Sequence, residues 1–183
     1  PYASPAPDSF LKGIEERPKK LKIAFTSKAL FGSDTHPDNQ KALEHTVTLL
    51  QDLGHEVVDA CPKFNKEGLT RAYYLTISAG VALGVRQIEE KLGRSLKESE
   101  LEMSTWALNT IGNAMSSAEY MYHIDLMQQE TRRIAGFFIE YDLFLTPTTA
   151  HPPALIGAAK PTSADRMQIK ILKRFPLKTL LNK

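Results

Sequence analysis

Tyr141-Asp142-Leu143-Phe144-Leu145-Thr146-Pro147 decides the fold, because three large apolar residues run together between a polar entry and a proline stop. Such a run, following a long helical pattern, reads as a strand buried on both faces, as in a parallel sheet covered by helices. Pro147 ends the strand because proline has no N–H to give to a sheet ladder. Ligands of open α/β sheets bind beyond the carboxyl ends of the strands, so Thr146, Pro147, Thr148 and His151 fall where a site is built. Two readings of Thr146-Pro147-Thr148 stand side by side here: lining a site, and simply terminating a strand.

Working back along the chain, Leu21 to Phe25 carries Ile23 and Phe25 and leads into a polar, glycine-containing loop from Thr26 to His36, the pattern of another strand end. Pro37 opens a helix. From Asp38 to Leu53 the apolar residues Leu43, Val47 and Leu50, flanked by Ala42, Leu49 and Leu53, recur at steps of three and four, and Gly54 stands where a helix stops. His55 to Ala60 contains Val57 and Val58 and is ended by Pro62, completing a strand-helix-strand unit. The expected class is therefore α/β, with a few largely parallel strands at about 21–26, 55–60 and 143–147 covered by many helices.

Between the second and third strands the pattern is helical. Lys66 to Leu92 places Leu69, Tyr73, Ile77, Val81, Ile88 and Leu92 near one stripe, and its small residues Ser78, Ala79, Gly80, Ala82 and Gly84 would admit a close neighbour. Leu96 to Met115 reads as a helix containing Trp106, Leu108 and Ile111, interrupted near Gly112. Ser116 and Glu119 fit a capping box, and Tyr120, Ile124, Met127, Ile134, Phe138 and Tyr141 continue a helical stripe to Asp142. Residues 63–140 thus read as a helical insertion. The three prolines in residues 1–8 suggest a connector, Ser9 to Glu16 a short helix, and Ala164 to Leu181 a helical tail broken at Pro176.

Bulk composition sets limits on function. With 183 residues, 42% of them hydrophobic, the chain can bury a core, and 23 basic against 21 acidic residues leave a formal charge of only +2. Nothing asks for nucleic acid: the basic runs at Arg17–Lys22 and Lys170–Lys183 read as solvated flanks without repeated aromatic interleaving. The longest apolar stretch, Ile77 to Val85, is broken by Ser78, Gly80 and Gly84 and is too short to span a membrane. Cys61 is the single cysteine, which excludes an intrachain disulfide and suits a reducing compartment, so the expected location is the cytoplasm. A chain starting at Pro1 shows no signal peptide and suggests an excised section of a longer protein.

Several residues invite chemistry and have a plainer role. Ser116-Ser117 resembles a nucleophile pair, but the spacing to Glu119 favours helix capping, and no glycines stand by to build an oxyanion hole. His55, Asp59 and Cys61 share strand parity, yet at about 3.3 Å per residue His55 and Cys61 lie on the order of 20 Å apart, so they form no triad. Cys61 reads instead as a small apolar packer. Glu119 and His123 have the i, i+4 spacing of two metal ligands without the further ligands of a metal motif, so a helix-surface pair is the reading and no metal is expected. His36 and Asp34 read as caps for the helix opened by Pro37. Trp106, Tyr120 and Tyr122 suit a core and equally a pocket wall.

Three blocks in fixed order carry a resemblance: Arg17-Pro18-Lys19-Lys20-Leu21-Lys22-Ile23-Ala24; His36-Pro37-Asp38 through Ala42, Leu49-Leu50 and Leu53-Gly54-His55-Glu56-Val57; and Tyr141 to Thr148 with Pro152-Pro153 and Ile156-Gly157. Together they resemble the middle-to-late part of the amidase signature enzymes, a family that includes the amidotransferase subunit releasing ammonia from glutamine. The resemblance covers most of residues 1–160. It implies a large mixed sheet wrapped by helices, and hydrolysis of non-peptide amide bonds through an acyl-enzyme. In that family a neutral lysine activates a serine held in a cis peptide, which activates the nucleophilic serine, and glycine-rich backbone supplies the oxyanion hole.

The present sequence has no Gly-Gly pair and no glycine-flanked Ser-Ser, so no catalytic residue carries over. The resemblance therefore implies one section, residues 1–183, of a single amidase domain. This section is expected to supply scaffold and a pocket wall, with Thr146, Pro147, Thr148, Trp106 and Tyr122 as substrate-binding candidates, and to be inactive alone. A small-molecule amide is the expected partner of the intact enzyme. No cofactor is expected, and unpaired sheet edges should make the section self-associate. The alternatives are a noncatalytic small-ligand module and a fragment of an amidotransferase subunit. A free-standing flavodoxin-like domain fits poorly, since a doubly wound sheet commonly has about five strands.

Overall fold

The computed structural model describes residues 19–31 and 34–158, together with Leu11, Lys160, 162–165 and Met167. Lys22–Phe25 (β1), Glu56–Asp59 (β2) and Leu143–Leu145 (β3) form one parallel sheet in the order β2-β1-β3. All three lie within the ranges expected from the sequence. Ile23 pairs with Val57 on one side and Leu143 on the other, and Ala24 with Val58 and Phe144. Ile23 and Ala24 are the buried centre of the sheet, at 2% and 0% exposure.

The register of β3 is fixed at its entry. Asp142 donates its N–H to the Lys22 carbonyl at 2.9 Å, while its carboxylate accepts the Lys22 N–H at 2.7 Å. Lys22 Nζ reaches Glu140 Oε1 at 2.9 Å and lies 4.9 Å above the Tyr141 ring. One expectation is corrected: β3 is not buried on both faces, because Leu143 is half exposed. Alternate strand residues point to opposite faces. Phe144 meets the Phe137 ring at 5.6 Å, whereas Leu143 shares its face with the buried Ile23 but stands on β3, the edge strand of the described sheet.

Pro37–Asp52 forms α1, with His36 as its N-cap: the His36 Nδ1 accepts the Asp38 N–H at 3.2 Å. The helix stops at Gly54, whose φ of 91° admits a glycine readily and other residues with strain. His55 N–H bonds the Leu50 carbonyl at 3.1 Å and Gly54 N–H the Gln51 carbonyl at 2.9 Å, the paired bonds of a Schellman motif. Leu43 is buried and Val47 and Leu50 partly so, while Leu49 and Leu53 face outward.

Three helices occupy the chain between β2 and β3: Lys66–Leu92 (α2), Met103–Ala114 (α3) and Ser117–Phe137 (α4). In α2 the buried residues are Ala72, Leu75, Ser78 and Val85, whereas Tyr73, Ile88 and Leu92 are about half exposed. The stripe expected from the large apolar residues is therefore about one residue off the true inner face. Close approach decides the face. A Cβ placed on Gly112 of α3 would run into the Ser78 carbonyl group and sit 2.9 Å from Ala82 Cβ. Small side chains on α2 permit this contact, so Gly112 sits inside α3 as a packing glycine and does not interrupt the helix.

The segment from Leu96 to Leu101, expected to be helical, holds only a 3₁₀ turn at Glu98–Glu100. Carboxylates capture its N–H groups: Leu96 donates to Glu89 Oε1 and Lys97 to Glu100 Oε2, each at 2.8 Å. The break between α3 and α4 falls at Met115, and α4 begins with the expected capping box. The expected helices at Ser9–Glu16 and in the tail from Ala164 to Leu181 lie almost entirely outside the described residues.

Candidate functional site at the strand ends

The parallel ladder continues one step beyond β1 and β3, where Thr26 donates its N–H to the Leu145 carbonyl at 3.2 Å. Thr26 is 2% exposed, and its hydroxyl accepts the Lys28 N–H at 3.3 Å, turning the chain away from the sheet. Past β3, Leu145 to Thr149 face Asn39, Ala42, Leu43 and Thr46 of α1 across a cavity of about 370 Å³. Proline at 147 and the strand end before it set the path of this wall. Among the described residues, the lining is hydroxyl, carboxamide and hydrocarbon, without a charged side chain. Such a lining can hydrogen-bond a neutral polar group and pack its apolar part. Among the described residues, it holds no nucleophile paired with a base.

The loop past this wall is tied to the first turn of α1. Asn39 Nδ2 donates to the Thr149 carbonyl and His36 N–H to the Ala150 carbonyl, both at 2.7 Å. The His36 and His151 rings meet edge-on with centroids 6.3 Å apart. Thr146, Pro147 and Thr148 thus share one cavity, with Thr146 and Pro147 half buried and Thr148 exposed. Trp106 and Tyr122 are not in its lining. Trp106 is half buried in α3, and Tyr122 is 65% exposed on α4, edge-on to His123 at 5.2 Å.

Sequence reading missed the α1 side of the cavity, Asn39 and Thr46 above all. The signal available was positional, since a helix that follows β1 begins at the carboxyl end of the sheet. A second cavity of about 390 Å³, almost wholly apolar, also went unseen. Phe31 from the loop after β1 joins Leu69, Tyr73, Tyr74 and Met127 there, and the Phe31 and Phe64 rings lie 5.4 Å apart.

The remaining candidates take structural roles. Ser116 Oγ accepts the Glu119 N–H at 3.1 Å and donates to Glu119 Oε2 at 2.8 Å, while Ser116 N–H donates to the same oxygen at 2.9 Å. These bonds hold the Glu119 carboxyl below its usual range. Ser116 thus holds one oxygen of Glu119, and among the described residues no three metal-binding side chains gather. His55 Nδ1 accepts the Leu21 N–H at 3.2 Å, a bond between strand entries. Cys61 is exposed, which corrects its reading as a packer: Pro62 takes the buried place. Partial burial still pushes the Cys61 thiol up, against the attraction of nearby Lys66. Among the described residues, no helix is long and apolar enough to cross a membrane.

Comparison with known proteins places this geometry. The family described as amidase matches residues 1–182. A lipoamidase of Enterococcus faecalis is 26% identical over 148 residues, covering 80% of this chain and 20% of that protein. A putative amidase of Synechocystis sp. is 30% identical over 159 residues, covering 86% of this chain and 28% of that protein. The structure of a 6-aminohexanoate cyclic dimer hydrolase complexed with substrate superposes with a TM-score of 0.79 at 20% identity, covering 89% of this chain and 35% of that one. The chain thus spans between a fifth and about a third of the length of these proteins. The solved structure shows that the α/β fold is shared, and the family match along nearly its whole length shows that this chain belongs to the amidase family.

Proposed function

We propose that these residues form part of an enzyme that hydrolyses non-peptide amide bonds, and that they give it scaffold and one wall of the substrate pocket. The family match over residues 1–182 carries this reading. An uncharged cavity with threonine hydroxyls and the Asn39 carboxamide at the strand ends is consistent with a neutral amide as ligand. The names of two relatives, a lipoamidase and a 6-aminohexanoate cyclic dimer hydrolase, describe enzymes in keeping with this chemistry.

The reaction expected of the family passes through a serine ester. The serine oxygen attacks the amide carbon, the C–N bond breaks, and the amine leaves with a proton; water then cleaves the ester to the carboxylic acid. The 183 residues contribute none of the attacking groups in this proposal. Ser116-Ser117 lacks flanking glycines, and Ser116 is engaged in a helix cap. The chain by itself is accordingly inactive. The test is release of ammonia or amine across a panel of aliphatic and aromatic amides. Turnover by the full-length protein and none by the 183-residue chain is the expected result; no turnover by the full-length protein, or turnover by the chain alone, overturns it.

For the isolated chain, the open side of β3 and the half-exposed Leu143 support association between copies. Sedimentation of the 183-residue chain as a strict monomer at tens of micromolar would contradict this.

A further inference from the structure

The first turn of α1 holds two successive main-chain carbonyls of the loop after β3. His36 does so with its backbone N–H, to Ala150, and Asn39 with its side chain, to Thr149. Within the loop the Thr149 hydroxyl donates to the His151 carbonyl at 2.9 Å. An irregular segment has no ladder to shape it, so its carbonyl partners decide its path. A polar side chain in the first helical turn is commonly spent on the helix's own free N–H groups. Here the His36 ring takes the Asp38 N–H, which leaves Asn39 for the loop.

Asn39 also lines the cavity it helps to shape, alongside Thr146, Thr148 and Thr149. From this double placement we infer that Asn39 is a positioning residue, which fixes the Thr146–Thr149 wall through the Thr149 carbonyl and so sets how well a bound amide is held. The kinetic half of this inference rests on the amide-hydrolase reading; the conformational half does not. Pinning the wall alters ground state and transition state alike, so its loss raises KM more than it lowers kcat.

The experiment compares the full-length protein with its Asn39→Ala, Asn39→Asp and Asn39→Gln variants. Asn39→Asp keeps the shape and sets an acceptor against the Thr149 carbonyl. Amide hydrogen exchange at His36, whose N–H is bonded to the Ala150 carbonyl, should quicken about five- to tenfold in Asn39→Ala and Asn39→Asp. KM for a hydrolysed amide should rise by a similar factor with kcat within about twofold, and Asn39→Gln should restore part of both. The unfolding midpoint should fall only slightly, because one exposed hydrogen bond is lost and the helix cap stays with His36. Unchanged His36 exchange in Asn39→Ala overturns the inference, as does a fall in kcat at constant KM. If the unaltered full-length protein cleaves no amide, the functional reading falls, and His36 exchange alone decides the positioning role.

Discussion

The carboxylate of Glu130, in the middle of α4, accepts the backbone N–H of Asn65 at 2.9 Å, so the residue that caps α2 is held in place from another helix. Asn65 in turn accepts the Gly68 N–H on its side-chain oxygen at 2.9 Å. Glu130 is 3% exposed, and its second oxygen lies 3.3 Å from Arg133 Nη1. A buried carboxylate with both oxygens engaged is a costly group to remove singly.

Glu130→Ala should therefore destabilise the chain by about 1.5–3 kcal/mol, the range for a lost hydrogen bond to a charged group. Glu130→Gln keeps an acceptor for Asn65 and should lose less than half as much. Urea unfolding of the two variants checks the order. Equal losses would mean that the Arg133 contact, and not the Asn65 bond, carries the effect.

Two helical glycines, Gly112 within α3 and Gly136 in the last turn of α4, should respond with opposite sign. Gly112→Ala drives a Cβ into the Ser78 backbone, so overpacking should cost about 1–3 kcal/mol. Gly136→Ala in α4 meets nothing within 4 Å and should stabilise by about 0.4–1 kcal/mol through helix propensity and a less free unfolded chain. Thermal unfolding of both separates the packing account from a general preference for glycine.

His123 should give a pH signature. Burial pushes its pKa below the usual 6.5, Arg71 of α2 adds to the depression, and Glu119 opposes it. Its Nδ1 is buried without a hydrogen-bond partner. The folded chain thus binds this proton less readily than the unfolded chain, so the contribution to stability is complete above pH 6.5 and is lost as pH falls from there through the depressed folded value. His123→Leu should flatten the fall in stability between pH 6.5 and 5 while leaving the slope above pH 7 alone. Parallel profiles for the two proteins would contradict this.

Arg94 grips Glu100 with two bonds, Nη1 to Oε2 at 2.9 Å and Nη2 to Oε1 at 2.8 Å. The guanidinium, with the Lys97 N–H, lowers the Glu100 carboxyl from 4.5 to about 2. The stability linked to this shift is present above pH 4.5 and is lost as pH falls toward 2. Arg94→Gln should move the Glu100 titration, followed by carboxyl NMR, back toward its ordinary value. A titration unmoved by the substitution would leave the backbone bond as its cause.

What could be read from the sequence was mostly what neighbours along the chain control. The Pro37 start and Gly54 stop of α1 and the Ser116 capping box rest on groups within a few residues of one another, and they stand as the local pattern says. The true inner face of α2 was not legible, because the large side chains Tyr73, Ile88 and Leu92 outweigh the small ones in any count of apolar character. At the candidate site, Thr146, Pro147 and Thr148 were marked by the strand end. Asn39 was not, since its partner lies 110 positions away.

The sequence by itself determined the α/β class, the three strand positions, the start and stop of α1, the Ser116 cap of α4 and the family, since each is written in residue type and short-range order. Only the tertiary structure decided that β1 lies between β2 and β3, that Gly112 seats α3 on Ser78, and that α1 closes a cavity over Thr146–Thr149. Those outcomes depend on close approach between residues far apart in the chain. A sequence names the side chains that can meet, and folding in three dimensions selects the pairs that do.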